Sequence, residues 1–151
     1  MKREEIRDSI GYNIHVTSHL LQNVYNEKLG EFGLTHAQAR VIYLLAVHGQ
    51  QSQSDLQKKL YIQASSMNGI IESMLKYDRI AKKPSPTDKR TKMITLTGTG
   101  HELYEKIIDI ISVIEDQVTN GLTKDEVESL VPVLRTMQEN LRPTDDKKVK
   151  K

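Results

Sequence analysis

Seven lysine and arginine side chains are concentrated between residues 76 and 92 of this chain of 151 residues. Only Asp78 and Asp88 oppose them, so the segment carries a net charge of +5, whereas the whole chain carries +2. Such a concentration of cations is the footprint expected of a phosphate-binding surface. Charges that only keep a sheet edge from pairing with other chains are the simpler alternative. The cations are Lys76, Arg79, Lys82, Lys83, Lys89, Arg90 and Lys92.

The cationic segment has the pattern of a β-hairpin that runs into a helix. Apolar and β-branched residues lie in 80–83 and 91–96, and the sequence Pro-Ser-Pro-Thr-Asp at 84–88 is a turn signal between them. We therefore predict two short strands joined by a proline-rich tip. The basic side chains on this arm that we expect to contact phosphates are Lys82, Lys83, Lys89, Arg90 and Lys92.

Four predicted helices precede the hairpin. Apolar residues at helical spacing predict one long first helix that ends near Gly30, with Gly33 as a stop signal. A Thr-x-x-Gln capping box at 35–38 begins the second helix, which closes at Gly49. Ser52 begins a short third helix, and a fourth runs from about Gln63 to Tyr77.

The fourth helix is predicted to present a small polar face. Its apolar residues Met67, Ile70, Ile71 and Met74 share one side. Serine and asparagine can bond base edges or phosphates, and we expect Asn68 to read an adenine. A serine-rich helix that is only solvated is the alternative. The outward residues that we predict to contact DNA are Gln63, Ser65, Ser66, Asn68, Gly69, Ser73 and Lys76.

The order of short helix, turn, polar-faced helix and basic hairpin favours a winged helix-turn-helix. The hairpin also carries a recognisable motif, since Asp88-Lys-Arg90 is followed by Leu96-Thr-Gly-Thr-Gly100. With this motif the chain resembles the MarR-type bacterial transcriptional regulators over nearly its whole length. The resemblance implies that Arg90 enters the minor groove and that Asp88 holds the wing in place. Narrow minor grooves attract arginine because they concentrate negative potential.

The chain departs from that family where the fourth helix ends. The family commonly has Gly-Leu-Ile or Gly-Leu-Val there, whereas this chain has Asp78-Arg79-Ile80. We therefore expect Asp78 to adopt a backbone conformation that suits glycine better, and Arg79 to replace an apolar anchor.

The helices after the hairpin favour a homodimer. The apolar residues between 103 and 118 cover more than the stripe of about 100° that one core requires. A second capping box at 123–126 begins a last helix, in which Pro132 predicts a kink or a local break. A monomeric bundle that buries all these residues is the alternative.

We predict a mainly α fold with a small β-hairpin wing, in a single domain over residues 1–142. Residues 34–99 would form the winged helix-turn-helix lobe, and residues 1–33 and 100–142 the helical dimerisation region. Residues 143–151 contain few apolar side chains and are predicted to be a disordered tail.

Composition excludes several other functions. The chain has no cysteine, which excludes disulfides and thiolate zinc sites, and it has no phosphate-binding glycine loop or Gly-x-Ser-x-Gly elbow. His15 and His19 lie four residues apart, but no His-Glu-x-x-His motif accompanies them. We therefore predict no enzyme activity, no metal site and no cofactor. We find no membrane-spanning run or signal peptide, and expect a cytoplasmic protein.

The predicted function is a homodimeric repressor that binds a pseudo-palindromic operator in double-stranded DNA. The family resemblance implies a small aromatic effector held between the dimerisation helices and the DNA-binding lobe, and residues Tyr12, His15, His19 and Tyr43 are the predicted cleft. A winged-helix module that binds a protein partner, or a non-specific DNA-binding protein, are the alternatives.

Overall fold

The computed structural model describes residues 2–144, so that residues 145–151 of the predicted tail lie outside the described residues. The described residues form a 3₁₀ helix, six α-helices and three short strands. In chain order these are the 3₁₀ helix Arg3–Asp8, α1 (Ile10–Gly30), α2 (His36–His48), β1 (Gln51–Ser52), α3 (Gln53–Leu60), α4 (Ala64–Lys76), β2 (Ile80–Pro84), β3 (Lys92–Leu96), α5 (Gly98–Val118) and α6 (Lys124–Leu141). The predicted mainly helical fold with a hairpin wing is confirmed.

The first helix is not continuous, contrary to the prediction. Ser9 has an extended backbone and separates the 3₁₀ helix from α1. Its hydroxyl accepts a hydrogen bond from the Tyr12 N–H, so it caps α1 as a serine commonly does. The amide of Asn13 donates to the carbonyls of Arg7 and Ser9, both at 2.8 Å, and spans the break. Apolar spacing alone does not reveal this cap.

The wing belongs to a three-stranded antiparallel sheet in the order β1-β3-β2. The hairpin pairs Ile80 with Leu96 at its base and Pro84 with Lys92 near its tip. The sequence did not predict β1, whose two residues pair with Ile94 and Met93. Gln51 of β1 is buried, and its amide donates to the Leu44 carbonyl of α2 at 3.0 Å. These bonds attach β3, and hence the wing, to the end of α2.

One apolar cluster supports the helix-turn-helix. It contains Leu29 of α1, residues of α2, α3 and α4, the wing residues Ile80 and Ile94, and Ile107 of α5. The inward face that was predicted for α4 is present, since Met67, Ile71 and Met74 are fully buried. The predicted lobe ended at residues 34 and 99. Since residues of α1 and α5 belong to the same core as the lobe, the contacts within the chain do not separate it at these positions. They give two compact units, Met1–Ile114 and Glu115–Lys151, and the predicted division into lobe and dimerisation region stays a prediction.

Two helices leave much apolar surface uncovered. In α1 only Leu29 is buried, whereas Ile10 is 62% exposed and Leu20 is 58% exposed. No residue of α6 is buried in the described chain. The helix continues through Pro132, so of the two predicted outcomes the local break is wrong, and the kink stays a prediction. A proline in an exposed helix removes one N–H donor, and water can satisfy the carbonyl left without it. Within residues 2–144, no helix is long and apolar enough to span a membrane.

The turn after α4 contains a buried cation. Asp78 has a φ of 56°, the left-handed conformation that was expected where the family has glycine. Arg79 is only 8% exposed. Its guanidinium donates to the carbonyls of Gly33 at 3.1 Å and Phe32 at 3.3 Å, and to Oε1 of Gln38 at 3.4 Å. No carboxylate in the described part of the chain pairs with it. The buried charge is compensated by these backbone and amide oxygens and by the Tyr77 ring, whose centre lies 5.3 Å from Cζ of Arg79.

The motif after β3 fixes the base of the wing. The Thr97 hydroxyl donates to the Asp78 carbonyl at 2.6 Å and accepts from the Gly100 N–H at 3.1 Å. A Cβ on Gly100 would lie 2.3 Å from the Arg79 carbonyl oxygen, far inside contact distance. The Thr-x-x-Gly spacing is therefore required because the first turn of α5 and the start of β2 approach each other closely.

We predict that Arg79→Ala lowers the free energy of unfolding by about 2–4 kcal/mol, because it leaves the carbonyls of Phe32 and Gly33 and Oε1 of Gln38 without their charged donor. Arg79→Lys keeps the charge but not the planar fork, and we expect an intermediate loss. Urea unfolding at one fixed protein concentration measures both. A loss below about 0.5 kcal/mol for Arg79→Ala would show that these hydrogen bonds do not stabilise the fold.

Candidate nucleic-acid interface and adjoining cavity

Helix α4 presents the polar face that was predicted for the recognition helix. Gln63 occupies the N-cap position without a capping bond from its side chain, and the exposed residues continue along one side of the helix over three turns. Gly69 has open space where a Cβ would be, so the backbone is accessible there. The predicted DNA-contacting residues that are exposed are Gln63, Ser65, Ser66, Asn68, Gly69 and Lys76.

Ser73 differs from the other predicted contact residues. It is partly buried at the edge of the apolar stripe, and its hydroxyl accepts a hydrogen bond from Nε2 of Gln38 at 3.3 Å. Gln38 also closes the capping box of α2 and accepts from Arg79. In this structure Ser73 therefore holds α4 against α2 rather than projecting with the polar face.

Asn68 has a partner that the sequence did not suggest. Nε2 of Gln53, the first residue of α3, donates to Oδ1 of Asn68 at 2.5 Å. This bond joins the two helices of the helix-turn-helix on their exposed side. The turn between them contains Tyr61, whose φ of 55° is left-handed.

The wing tip is ordered by its own side chains. Oδ1 of Asp88 accepts from the Arg90 N–H at 3.0 Å, and Oδ2 accepts from the Thr91 hydroxyl at 3.3 Å. The Ser85 hydroxyl accepts from the N–H groups of Thr87 and Asp88. These contacts give the carboxylate of Asp88 a positioning role within the loop and leave the Arg90 side chain exposed. Lys82, Lys83, Lys89 and Lys92 are also exposed.

Burial of Arg79 changes the surface charge of this region. Six of the seven cations between residues 76 and 92 are exposed, together with both aspartates, so the exposed side chains carry +4. The Lys76 ammonium lies 5.7 Å from the centre of the Tyr77 ring, where a cation is attracted by the aromatic face. The cationic surface thus extends from the end of α4 along the wing.

A cavity of about 360 Å³ lies between α1, α2 and α5. This volume is in the range of small-molecule sites. Two stacked rings form part of its wall, since Tyr25 and His36 have centroids 4.6 Å apart with an interplanar angle of 17°. The lining residues are Tyr25, Leu29, His36, Ala39, Arg40, Tyr43, Ile107 and Ile111.

Only Tyr43 of the four predicted cleft residues lines this cavity. Tyr12, His15 and His19 are exposed in the first half of α1. Tyr12 lies 13 positions before Tyr25, about 20 Å along a helix. The sequence analysis did not propose the cavity residues His36 and Arg40. With Tyr43 they have the spacing of one face of α2, which is the signal that could have identified them.

Burial makes the cavity electrostatically asymmetric. Desolvation, followed by the charge of Arg40, lowers the pKa of His36, which favours the neutral imidazole. Desolvation also lowers the pKa of Arg40, although an arginine remains a cation at any pH near neutrality. The cavity therefore has aromatic and apolar walls with one half-buried positive charge. Among residues 2–144, no group of three or more His, Cys, Asp or Glu side chains is placed to hold a metal ion.

Residues 34–92, which contain the helix-turn-helix and most of the wing, match the MarR family. Over these residues the chain is similar to MarR-type transcriptional regulators. A curated MarR-type relative is the HTH-type transcriptional repressor NicR of Pseudomonas putida, 25% identical over 138 residues that cover 86% of this chain and 87% of NicR. The similarity to these regulators supports a DNA-binding transcriptional role.

Solved structures with the same MarR-type fold span most of the chain. The Staphylococcus aureus MepR–DNA complex has a TM-score of 0.80 at 22% identity, and covers 93% of this chain and 100% of MepR. Bordetella bronchiseptica BpsR, whose DNA binding is regulated by 6-hydroxynicotinic acid, has a TM-score of 0.79 at 25% identity and covers 87% of this chain and 94% of BpsR.

We predict that His36 makes the protein sensitive to acid. Because its pKa is lowered in the folded state, the unfolded chain takes up a proton first as the pH falls below about 6.5, and stability decreases until the folded-state pKa is passed. His36→Phe keeps a ring against Tyr25 but cannot titrate. Urea unfolding between pH 7.5 and 5 should show a steeper loss for the wild-type chain, and parallel curves would contradict the prediction.

Proposed function

We propose that the chain is a homodimeric, sequence-specific repressor that binds a pseudo-palindromic DNA operator and is released by a small aromatic acid. The carrying observation is the exposed polar face of α4 beside a cationic wing. A polar helix suits base edges in the major groove, whereas lysine and arginine on a hairpin suit phosphates and the minor groove. Cytoplasmic action is part of the proposal, since the operator would be chromosomal DNA.

The uncovered apolar surface supports the homodimer. Ile10 and Leu20 in α1, and Leu141 in α6, are more than half exposed in the single chain. Exposed apolar residues along both terminal helices are typical of a surface that a partner covers. A two-fold dimer presents two recognition helices, so we expect an inverted repeat with half-sites about 10 bp apart.

Selection from random duplexes tests the proposal directly. The purified chain is incubated with the pool at about 150 mM salt, a concentration at which non-specific binding is weak. The retained fraction is then sequenced, and we expect an enriched inverted repeat. Retention without enrichment would support a non-specific DNA-binding protein, and no retention would support a module for a protein partner.

The wing residues are expected to act through charge. Arg90→Ala and Lys89→Ala should each weaken binding to all sequences and reduce the slope of log affinity against log salt by about one unit. Lys124→Ala, which removes an exposed cation outside the winged lobe, is the matched control. Binding is measured by fluorescence anisotropy on the selected operator at several salt concentrations. An unchanged affinity and slope for Arg90→Ala would refute its role in the wing.

The cavity supports an effector that is aromatic and anionic. The stacked Tyr25 and His36 rings offer apolar walls, and Arg40 offers the charge that a carboxylate requires. The aromatic acid named for BpsR has this chemistry. Because α1, α2 and α5 all line the cavity, an occupant can favour one arrangement of these helices over another. A coupling of about 1–3 kcal/mol is typical of such effectors.

We predict that 6-hydroxynicotinic acid reduces operator affinity about 5- to 150-fold, and that its uncharged amide does not. Arg40→Gln should abolish the response to the acid and leave operator binding without effector unchanged, since Arg40 lines the cavity and not the α4 face. Operator titrations with each compound measure both effects. Equal responses to acid and amide, or an undiminished response of Arg40→Gln, would argue against an anionic effector in this cavity.

A further inference from the structure

We infer that Gln53 sets the base preference of Asn68. Gln53 would act as a positioning residue that fixes the Asn68 amide, so that Asn68 donates to a base acceptor instead of reading adenine with both amide atoms. This inference rests on the proposed function, because it requires that α4 enters the major groove.

Gln53 is held firmly by its surroundings. The two residues before it form β1, which pairs with Ile94 and Met93 of the wing. The Ser52 hydroxyl caps α3 by accepting from the Asp55 N–H at 3.1 Å, and Leu56 one turn later is fully buried. The backbone from which the Gln53 side chain extends is therefore fixed by a strand, a cap and the core.

Asn68 has no comparable support of its own. Its side chain is exposed, and its one hydrogen bond within residues 2–144 is the contact from Nε2 of Gln53 to Oδ1. Without that bond, the amide is free to rotate in solvent. With it, Oδ1 is directed at α3 and the other edge of the same amide, Nδ2, is left for an external acceptor.

This orientation changes what Asn68 recognises. An unconstrained asparagine reads adenine by accepting from N6 and donating to N7. An amide oxygen has two lone pairs, but an Oδ1 that is directed at α3 does not face adenine N6. The remaining donor, Nδ2, then suits guanine, whose O6 and N7 both accept, better than adenine, which presents the N6 donor beside its N7 acceptor. The pair of amides therefore favours guanine over adenine at this position, which revises the adenine preference predicted for Asn68 alone.

Reversal of the donor provides a sharp test. In Gln53→Glu the carboxylate can only accept, so the Asn68 Nδ2 group should turn toward α3 and expose Oδ1 to the groove. The preference should change to a base that presents a donor, adenine N6 or cytosine N4. Gln57→Glu adds the same charge one turn later on α3 and has no side-chain hydrogen bond to Asn68 in the described structure, so it is the matched control.

The experiment repeats the random-duplex selection with wild type, Asn68→Ala, Gln53→Glu and Gln57→Glu. Asn68→Ala identifies the base pair that Asn68 reads, because preference should flatten there. At that base pair Gln53→Glu should raise the ratio of adenine to guanine on the contacted strand at least about fivefold relative to both wild type and Gln57→Glu. Thermal unfolding of each variant establishes that all of them are folded.

The outcomes separate the inference from the proposed function. An enriched repeat with equal preferences for Gln53→Glu and Gln57→Glu would overturn the positioning role alone, as would an Asn68→Ala profile identical to that of the wild type. Absence of any enriched repeat with the wild-type chain would remove the sequence-specific function, and the inference with it.

Discussion

The buried guanidinium of Arg79 is the interaction on which the winged lobe depends. It lies in the turn between α4 and β2, and it donates to two carbonyls in the connection between α1 and α2 as well as to Gln38. Gln38 in turn caps α2 and binds Ser73 of α4. Arg79, the residue before β2, thus contacts the α1–α2 connection and the start of α2. The amide of Gln38 joins the start of α2 to the C-terminal part of α4. A family position that is commonly apolar has here become a hydrogen-bonded junction, which is directional where an apolar contact is not.

That junction also determines where the wing begins. The carbonyl of Arg79 accepts from the Thr97 N–H at 3.2 Å and lies against Gly100, while the Thr97 hydroxyl bonds the Asp78 carbonyl. The base of the hairpin is therefore held by backbone contacts, and its far edge by the pairing of β3 with β1. The cavity uses α1, α2 and α5, the same helices that flank this junction. An occupant of the cavity and a DNA duplex at the wing would consequently act on a shared set of elements.

Local signals predicted the fold well, and contacts between distant residues were harder to predict. Capping boxes and apolar spacing predicted the bounds of α2, α3, α4 and α6 within one or two residues, because these signals involve residues that are close together in the sequence. Strand β1 was missed because an alternating pattern cannot be recognised in only two residues. The break at Ser9 was missed because the apolar spacing continues across it. At the candidate site, exposure of the α4 face followed from its pattern. The inward turn of Ser73, the burial of Arg79 and the Gln53–Asn68 bond depend on residues 15 to 47 positions apart. Cavity residues were predicted poorly because three helices must be placed before their shared wall is known.

One side of α4 packs in the core and the other side is exposed. This separation has a consequence for how the exposed surface of the helix can change. Met67, Ile71 and Met74 are fully buried, whereas Ser65, Ser66 and Asn68 are exposed. Substitutions on the outer side therefore leave folding nearly untouched, since exposed helix positions rarely change stability by more than about 0.5 kcal/mol. Under the proposed function, such substitutions can change which DNA sequence is bound without passing through poorly folded intermediates. The inner side has no such freedom, because its residues pack in the core, so new binding specificities can arise on a scaffold that stays constant.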